Sequence, residues 1–422
     1  MTEEEKSLKQ REKNKRVRNR IVLWLSGIIG VLVIGYCVAV FSQIPFIVKW
    51  RTLYIETAMS TTSHQWLATA FIPHSIIDEV MLQREFDIQK QQSIDSGWEL
   101  SEEEQTKRDE LLQSQIEKQN NAKLIEQKIE DFYELYWELD SPSVRSYLQT
   151  HTHLRDGDTG NILVEDLDEE LGLKTVNGDS VLVIDSANHL ILIGLHTMEY
   201  HGKLAIVKDE SQVVMSKSDY LGSRGEIIDA FGEKEDAILA INASGFRDVG
   251  GHGGGGQVRG SMIVDGVEYG NHATANAYWR FVGMKYDGRL YITNYDPSQV
   301  KDYKWSVEFF PALIIDGEQL VDDSGGWGIQ PRTSIGQQSD GSVMMLVIDG
   351  RQPGYSIGAT VGECARVLKS YRAYQAAAFD GGSSSIMWYR GKQITKSSSP
   401  SGFGRYLPNA LVVKRAQRTY SR

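Results

Sequence analysis

Two aspartates stand where apolar runs stop. Asp349 closes VMMLVID, and Asp380 opens the polar part of FDGGSSS at 379–385. Each is followed by glycine, so a ligand can approach the backbone beside an acid. A pair of such carboxyls suits acid–base work, or stabilises positive charge on a reacting carbon. Arg332 is followed by Thr333, and Arg351 follows Asp349 by two residues. Arginines near such acids can grip a phosphate or carboxylate with two parallel N–H groups. Asn242 ends the run AILAIN, and Gly381, Gly382, Ser383 and Ser384 complete the polar stretch after Asp380. His252 lies in RDVGGHGGGGQVRG (247–260), a glycine-rich stretch without the lysine of a phosphate-binding loop. Each feature also has a plain reading. FDGGSSS alone reads first as a β-turn. Glu363 forms T-x-x-E with Thr360, a capping box at a helix start. An arginine most often makes a surface ion pair. Cys364, on the apolar side of that same helix, reads as core.

These residues need strand ends to carry them, and the sequence supplies strands. From about residue 178 short β-rich runs recur: SVLVID, HLILIGL, KLAIVK, AILAIN, SMIVDG, RLYIT, ALIIDG, SVMMLVID, AAAFD, SIMWY and ALVVK. Gly, Asp and Asn punctuate them. One helix, TVGECARVLKSYRAY (360–374), stands among them. The pattern predicts an α+β fold, a mixed β-sheet domain with few helices, and not a regular βαβ alternation. Several strands ending in Asn or Asp beside Gly suggest one shared polar rim.

Upstream the texture differs. Residues 21–41, IVLWLSGIIGVLVIGYCVAVF, carry no charge and are long enough for a membrane-crossing helix. Residues 1–20 hold eight Lys/Arg against four Glu. The bias predicts a cytoplasmic tail at 1–20, a transmembrane anchor at 21–41 and an outside body, placing the protein in the cell membrane as a single-pass chain. Residues 42–177 read as a mostly helical extracellular stalk or linker, with 76–139 its solvated helical hairpin, because Leu111, Leu112, Ile116, Leu124, Ile125 and Ile129 are sparse apolar positions in a charged run. HTHLRDGDTGN (151–161) has metal-capable side chains but fails the calcium-loop spacing, and reads as a polar linker. The net charge is −11, and it is more negative still after the basic tail, which argues against a nucleic-acid partner. With Cys37 inside the apolar run, Cys37 and Cys364 make no disulfide framework. No cofactor is expected, no metal ligands are assigned, and a divalent metal stays open, as does the oligomeric state.

Taken together in order, AINASGF (240–246), RTSIGQQSDGSVMMLVIDGR (332–351), GATVGECARVL (358–368), AAAFDGGSSSIMW (376–388) and PNALVV (408–413) resemble the phosphodiester glycosidase domain family. The resemblance covers about 178–416. It departs at Asn242-Ala-Ser-Gly-Phe246, where the family often has an Asn-Gly-Gly-x-Phe-like segment.

The resemblance implies hydrolysis of a sugar-1-phosphodiester, with a glycan or sugar phosphate as substrate. It makes FDGGSSS a pocket element. The expected carboxylates are Asp380 and Asp349, then Glu363, because cleavage at the anomeric carbon builds positive charge on the ring. Arg332 and Arg351 are expected to hold phosphate, and Asn242, Thr333, Ser383, Ser384, Gly381, Gly382 and His252 to line the substrate. The sequence also accommodates a polysaccharide-binding or assembly module without turnover, or a surface scaffold that works through its helical stalk.

Overall fold

The computed structural model describes Trp24 and residues 30–61, 64–98, 105–106, 125–156, 161–248, 253–323 and 327–416. Its strands are β1 Leu163–Glu165, β2 Ser180–Asp185, β3 Leu190–His196, β4 His201–Val207, β5 Val213–Lys217, β6 Ala237–Asn242, β7 Gly260–Val264, β8 Val267–Asn271, β9 Arg280–Lys285, β10 Leu290–Thr293, β11 Tyr303–Phe309, β12 Ala312–Ile315, β13 Glu318–Gln319, β14 Arg332–Gln338, β15 Val343–Ile348, β16 Ala373–Ala378, β17 Met387–Tyr389, β18 Lys392–Gln393 and β19 Asn409–Lys414. They form a nine-stranded sheet in the order β1-β2-β3-β4-β15-β14-β16-β12-β13 and two five-stranded sheets, β10-β9-β11-β7-β8 and β18-β17-β6-β19-β5. Paired strands run antiparallel throughout, as in β14 against β15 and β16. Mixed helix and sheet is what the α+β expectation required.

The large sheet is covered on both faces, which explains why its strands read as unbroken apolar runs rather than as alternation. In β15, Met344, Leu346 and Ile348 enter one core with the helix α7 (Val361–Ser370). Val343, Met345 and Val347 enter the other, shared with the two smaller sheets through Met215, Leu239, Met262 and Val282. A side-chain period of two sorts one apolar run into two cores. Helix α6 (Ile228–Lys234) closes a third cluster, in which Gly232 lies so close to Trp388 that a Cβ would sit 2.6 Å from its ring.

The helical region 76–139 differs from a solvated stalk. Helix α3 (His74–Gln92) ends in a strap along the β9–β10 edge: Ser96 N–H donates to Ile292 O (3.2 Å), Trp98 Nε1 to Leu290 O (3.1 Å) and Arg280 Nη2 to Ile94 O (2.7 Å). Helix α4 (Ile125–Leu135) leads into Phe132, Tyr133, Tyr136 and Leu139, all inside the core that α7 shares. Here Glu138 and Lys208 form a buried ion pair at 2.6 Å, joined by Gln338 Nε2 at 2.9 Å. Aromatic residues gathered in FYELYWEL (132–139) dock this segment; counting only sparse aliphatics upstream misses them. Helix α5 (Ser141–Thr150) and β1 pack on the same body, so the core begins well before residue 178. Leu111, Leu112, Ile116 and Leu124 lie outside the described residues.

At the N-terminal side, α1 (Gly30–Phe41) and α2 (Pro45–Met59) meet at 84°. Most of 21–29, the first half of the expected anchor, lies outside the described residues, and among those described no single helix is long and apolar enough to cross a membrane. The α1–α2 pair passes that test only together.

Candidate active site

Four strands from two sheets end or begin at one place, and Asn242 ties them. It is fully buried at the end of β6. Its Nδ2 donates to Asp380 O (2.6 Å), while its Oδ1 accepts from Thr333 Oγ1 (2.7 Å) at the start of β14 and from Ile386 N–H (3.2 Å) at the entrance to β17. Asp380 N–H donates to Ala243 O (3.0 Å) and Phe379 N–H to Thr333 O (2.8 Å). Asn242 and Thr333 are therefore internal fasteners rather than substrate contacts. Their side-chain atoms are spent on each other and on the backbone that carries Asp380.

The turn after Asp380 is shaped by glycine. Gly382 has φ +62°, its N–H donates to Pro331 O (2.9 Å), and a Cβ there would lie 3.2 Å from Arg351 Nη2. At Gly381 a Cβ would come 2.9 Å from Pro331 O. FDGGSSS thus carries a 3₁₀ turn (Gly382–Ser384) seated on the 331 loop, with backbone against any side chain at 381 and a left-handed conformation at 382 that favours glycine.

Asp380 itself is partly exposed. Surrounding protein strips water from its carboxyl and pushes its pKa up to about 7, against the pull of the Ser384 hydroxyl and Arg405, with Asp248 pushing the same way as burial and the Gly381 N–H opposing it. A carboxyl that changes protonation near neutrality is suited to proton transfer or to meeting a cationic centre. Arg405 grips Asp248 through Nη2–Oδ1 (2.8 Å) and Nη1–Oδ2 (3.1 Å), and gives Nη1 also to Ser383 Oγ (3.1 Å). Arg351 is exposed, has φ +59°, lies against Gly382 within electrostatic reach of Asp380, and donates Nη2 to Gln330 Oε1 (2.8 Å). The cluster is therefore Asp380, Ser383, Ser384, Gly381, Gly382 and Arg351, with Arg405 and Asp248 added by the structure. Sequence reasoning missed that last pair. Asp248 sits at the mouth of the glycine-rich stretch and Arg405 in SGFGRYLPNA, just before the PNALVV motif, where only proximity to a motif could have flagged it.

Three expected site residues do other work. Arg332 donates Nε to Ala359 O (3.0 Å) and Nη2 to Trp327 O (2.7 Å) and Gly328 O (2.6 Å). Burial lowers its pKa to about 10. It binds backbone carbonyls where a phosphate was expected. Glu363 completes the capping box of α7, whose N-cap is Thr360: its Oε2 accepts Thr360 N–H (2.6 Å) and its own N–H donates to Thr360 Oγ1 (3.1 Å). Asp349 is buried, and accepts from Tyr355 O–H (2.9 Å) and Lys396 N–H (2.9 Å). Burial pushes it up to about 6, with Lys203 and Lys396 pulling down. Asp349 and Asp380 share no hydrogen-bond partner, and different charges act on each. Asp349 instead shapes the turn that presents Arg351, helped by Ser356 Oγ donating to Asp349 O (2.6 Å). Cys364 is fully buried, and burial pushes its thiol up to about 12, as a core cysteine. His252 lies outside the described residues. Among the described residues no group of three or more His, Cys, Asp or Glu side chains is placed to hold a metal ion.

Residues 235–414 match the phosphodiester glycosidase family model, so the resemblance carried by the five motifs is shown for that segment. Over 208 residues the chain is 28% identical to an SPbeta prophage-derived uncharacterized protein of Bacillus subtilis (strain 168). That match takes in 46% of this chain and 31% of the relative, so the chain spans about a third of that protein's length. Among solved structures, the zebrafish N-acetylglucosamine-1-phosphodiester alpha-N-acetylglucosaminidase catalytic domain, auto-inhibited by its pro-peptide, aligns with a TM-score of 0.45 at 17% identity, over 54% of this chain and 83% of that one. A protein of Burkholderia pseudomallei K96243 aligns with a TM-score of 0.40 at 16% identity, over 55% and 76%.

Proposed function

We propose that this protein hydrolyses sugar-1-phosphodiester bonds in cell-surface glycans, from the outer face of a membrane in which residues 21–41 anchor it. The observation that supports this reading best is the Asp380 carboxyl, raised to about 7, beside the guanidinium of Arg351 at a glycine turn. In the reaction the C1–O bond breaks, its electron pair goes to the phosphate oxygen, and water supplies the new hydroxyl on C1. Asp380, once ionised, meets the positive charge that develops at C1, as nucleophile or as base to the incoming water. The phosphoryl leaving group is a weak base and needs little protonation, but its charge must be held. Arg351, whose guanidinium makes one hydrogen bond to the protein, is placed to hold it, and the Arg405–Asp248 pair fixes the Ser383 side of the turn.

The test is a substrate panel offered to the full chain in detergent: alkyl diesters of sugar 1-phosphates, the matching sugar 1-phosphates, and aryl glycosides. Free sugar and alkyl phosphate released from the diesters support the proposal. Diester binding without release supports a binding module instead.

A further inference from the structure

The α1–α2 junction has a geometry that a simple tether does not need. Helix α1 continues the uncharged 21–41 run, and Val31, Leu32, Val33 and Ile34 are exposed along it. Helix α2 then turns off at 84°. Arg51 on α2 fastens the corner, donating Nη1 to Val40 O (2.6 Å) and Ser42 O (3.0 Å) at the end of α1. If α1 runs along a bilayer normal, α2 lies in the plane of the surface.

Helix α2 has two faces. Leu53, Ile55 and Ala58 are buried, the latter two in a small core with Val40, Ala68, Ile72 and Ile77. On another side Phe46, Trp50 and Tyr54 follow one another at four-residue spacing, which aligns them on one stripe, exposed at 70%, 47% and 44%. The segment after α2 adds Trp66 and Phe71, both more than half exposed. Its depth is fixed by hydrogen bonds. Tyr36 O–H donates to Phe71 O (2.8 Å), and Tyr54 O–H to Leu67 O (2.7 Å). Tyr36 precedes the end of α1 by five residues, roughly 7.5 Å of helix rise. Phe71 therefore lies alongside the last turns of the apolar helix, at the level where hydrocarbon gives way to headgroups. Exposed Trp, Tyr and Phe at that level match the chemistry of the bilayer interface.

We propose that α2 and the 66–72 segment form a collar in the lipid interface, which seats the domain on the membrane rather than holding it away on a stalk. The proposal rests on the membrane-anchor reading above. It bears on the site because Thr57 of α2 accepts Ile329 N–H (3.0 Å), Gly328 packs on Thr57, and the same 328–331 loop carries Arg332 and the glycine turn after Asp380. The site is one loop away from the collar, so a seated domain holds it close to the lipid surface.

Nitroxide labels test this in the full chain, reconstituted in phosphatidylcholine–phosphatidylglycerol nanodiscs, on a Cys37→Ser background in which the remaining native cysteine, Cys364, is fully buried. Cysteines are placed one at a time by Val33→Cys, Trp50→Cys, Trp66→Cys and, as a water reference, Tyr286→Cys, which is 61% exposed in the β9–β10 turn, where Gly288 O accepts Gln337 Nε2 (2.7 Å) at the end of β14 opposite Arg332. The collar predicts that labels at 50 and 66 show an oxygen-to-nickel-chelate accessibility ratio about tenfold above that at 286, equal to about 1.4 kcal/mol of partitioning. Position 33 should be higher still. A lipid-like ratio at 33 with water-like ratios at 50 and 66 overturns the collar while the anchor stands. Water-like ratios at all positions overturn both. Strong spin–spin broadening at 50 and 66 places a second copy of the chain on this face and overturns the lipid contact.

Discussion

Replacing Asp380 by Asn should make the protein more stable and less active, and the two effects should separate by pH. The carboxyl's pKa rises from 3.8 to about 7 on folding. At about 1.36 kcal/mol per pH unit, keeping it ionised in the folded state costs about 4 kcal/mol at most. Solvent that reaches this partly exposed group reduces that to about 2–4 kcal/mol. The sign follows from proton binding. Between about pH 4 and 7 the folded state holds a proton that the unfolded chain has released, so wild-type stability falls as pH rises through that window. Asn has no such proton. Asp380→Asn and wild type should therefore melt together near pH 4, and the variant should melt at least about 4 °C higher at pH 8, at roughly 2–4 °C per kcal/mol for a domain of this size. Thermal melts at intervals from pH 4 to 8, together with initial rates on a sugar-1-phosphodiester, form the assay. Turnover should drop about a hundredfold or more, in line with loss of a positioned acid–base group. A pH-independent difference in melting temperature would refute the burial argument. Unchanged turnover would remove Asp380 from the chemistry.

The same geometry gives two further outcomes. Arg351→Ala should weaken phosphodiester binding by about 1.5–3 kcal/mol with an unchanged melting temperature, whereas Arg332→Ala, which takes the guanidinium donor from Trp327 O and Gly328 O and leaves Ala359 O only the Gln330 N–H, should lower the melting temperature and reduce activity only through loss of folded protein; parallel melts and binding titrations separate the two. Gly382→Ala forces a side chain into left-handed backbone against Arg351, so it should cost about 1–2 kcal/mol of stability and raise KM more than it lowers kcat, and an unchanged KM would show that the turn does not position the arginine.

Much of this was legible in the sequence, and the failures have physical causes. Continuous apolar runs ended by Asn or Asp marked strands covered on both faces, and the structure places Asn242, Arg332, Thr333 and Asp380 together at such ends. T-x-x-E foretold the cap of α7 with both its bonds. What sequence cannot show is how a donor is spent. Arg332 and Arg351 look alike in a string, yet one faces three carbonyls and the other stands exposed at a positive-φ turn. Asp349 and Asp380 also look alike, and only the fold shows that Tyr355 and the Lys396 N–H occupy the first. The pairing of Arg405 with Asp248 joins residues 157 apart, a contact with no local signature. The helical region was misjudged because its docking side chains are few and mostly aromatic, Trp98 on the strap after α3 and Phe132, Tyr133 and Tyr136 at the end of α4 and just past it, and do not recur along the run at helical spacing.

The most direct test of the central claim is to run the diester reaction in water enriched in oxygen-18 and weigh both products. Attack at the anomeric carbon beside Asp380 predicts the heavy oxygen in the sugar and none in the alkyl phosphate. Heavy oxygen in the phosphate would mean that the P–O bond is cut, and would contradict the glycosidase assignment.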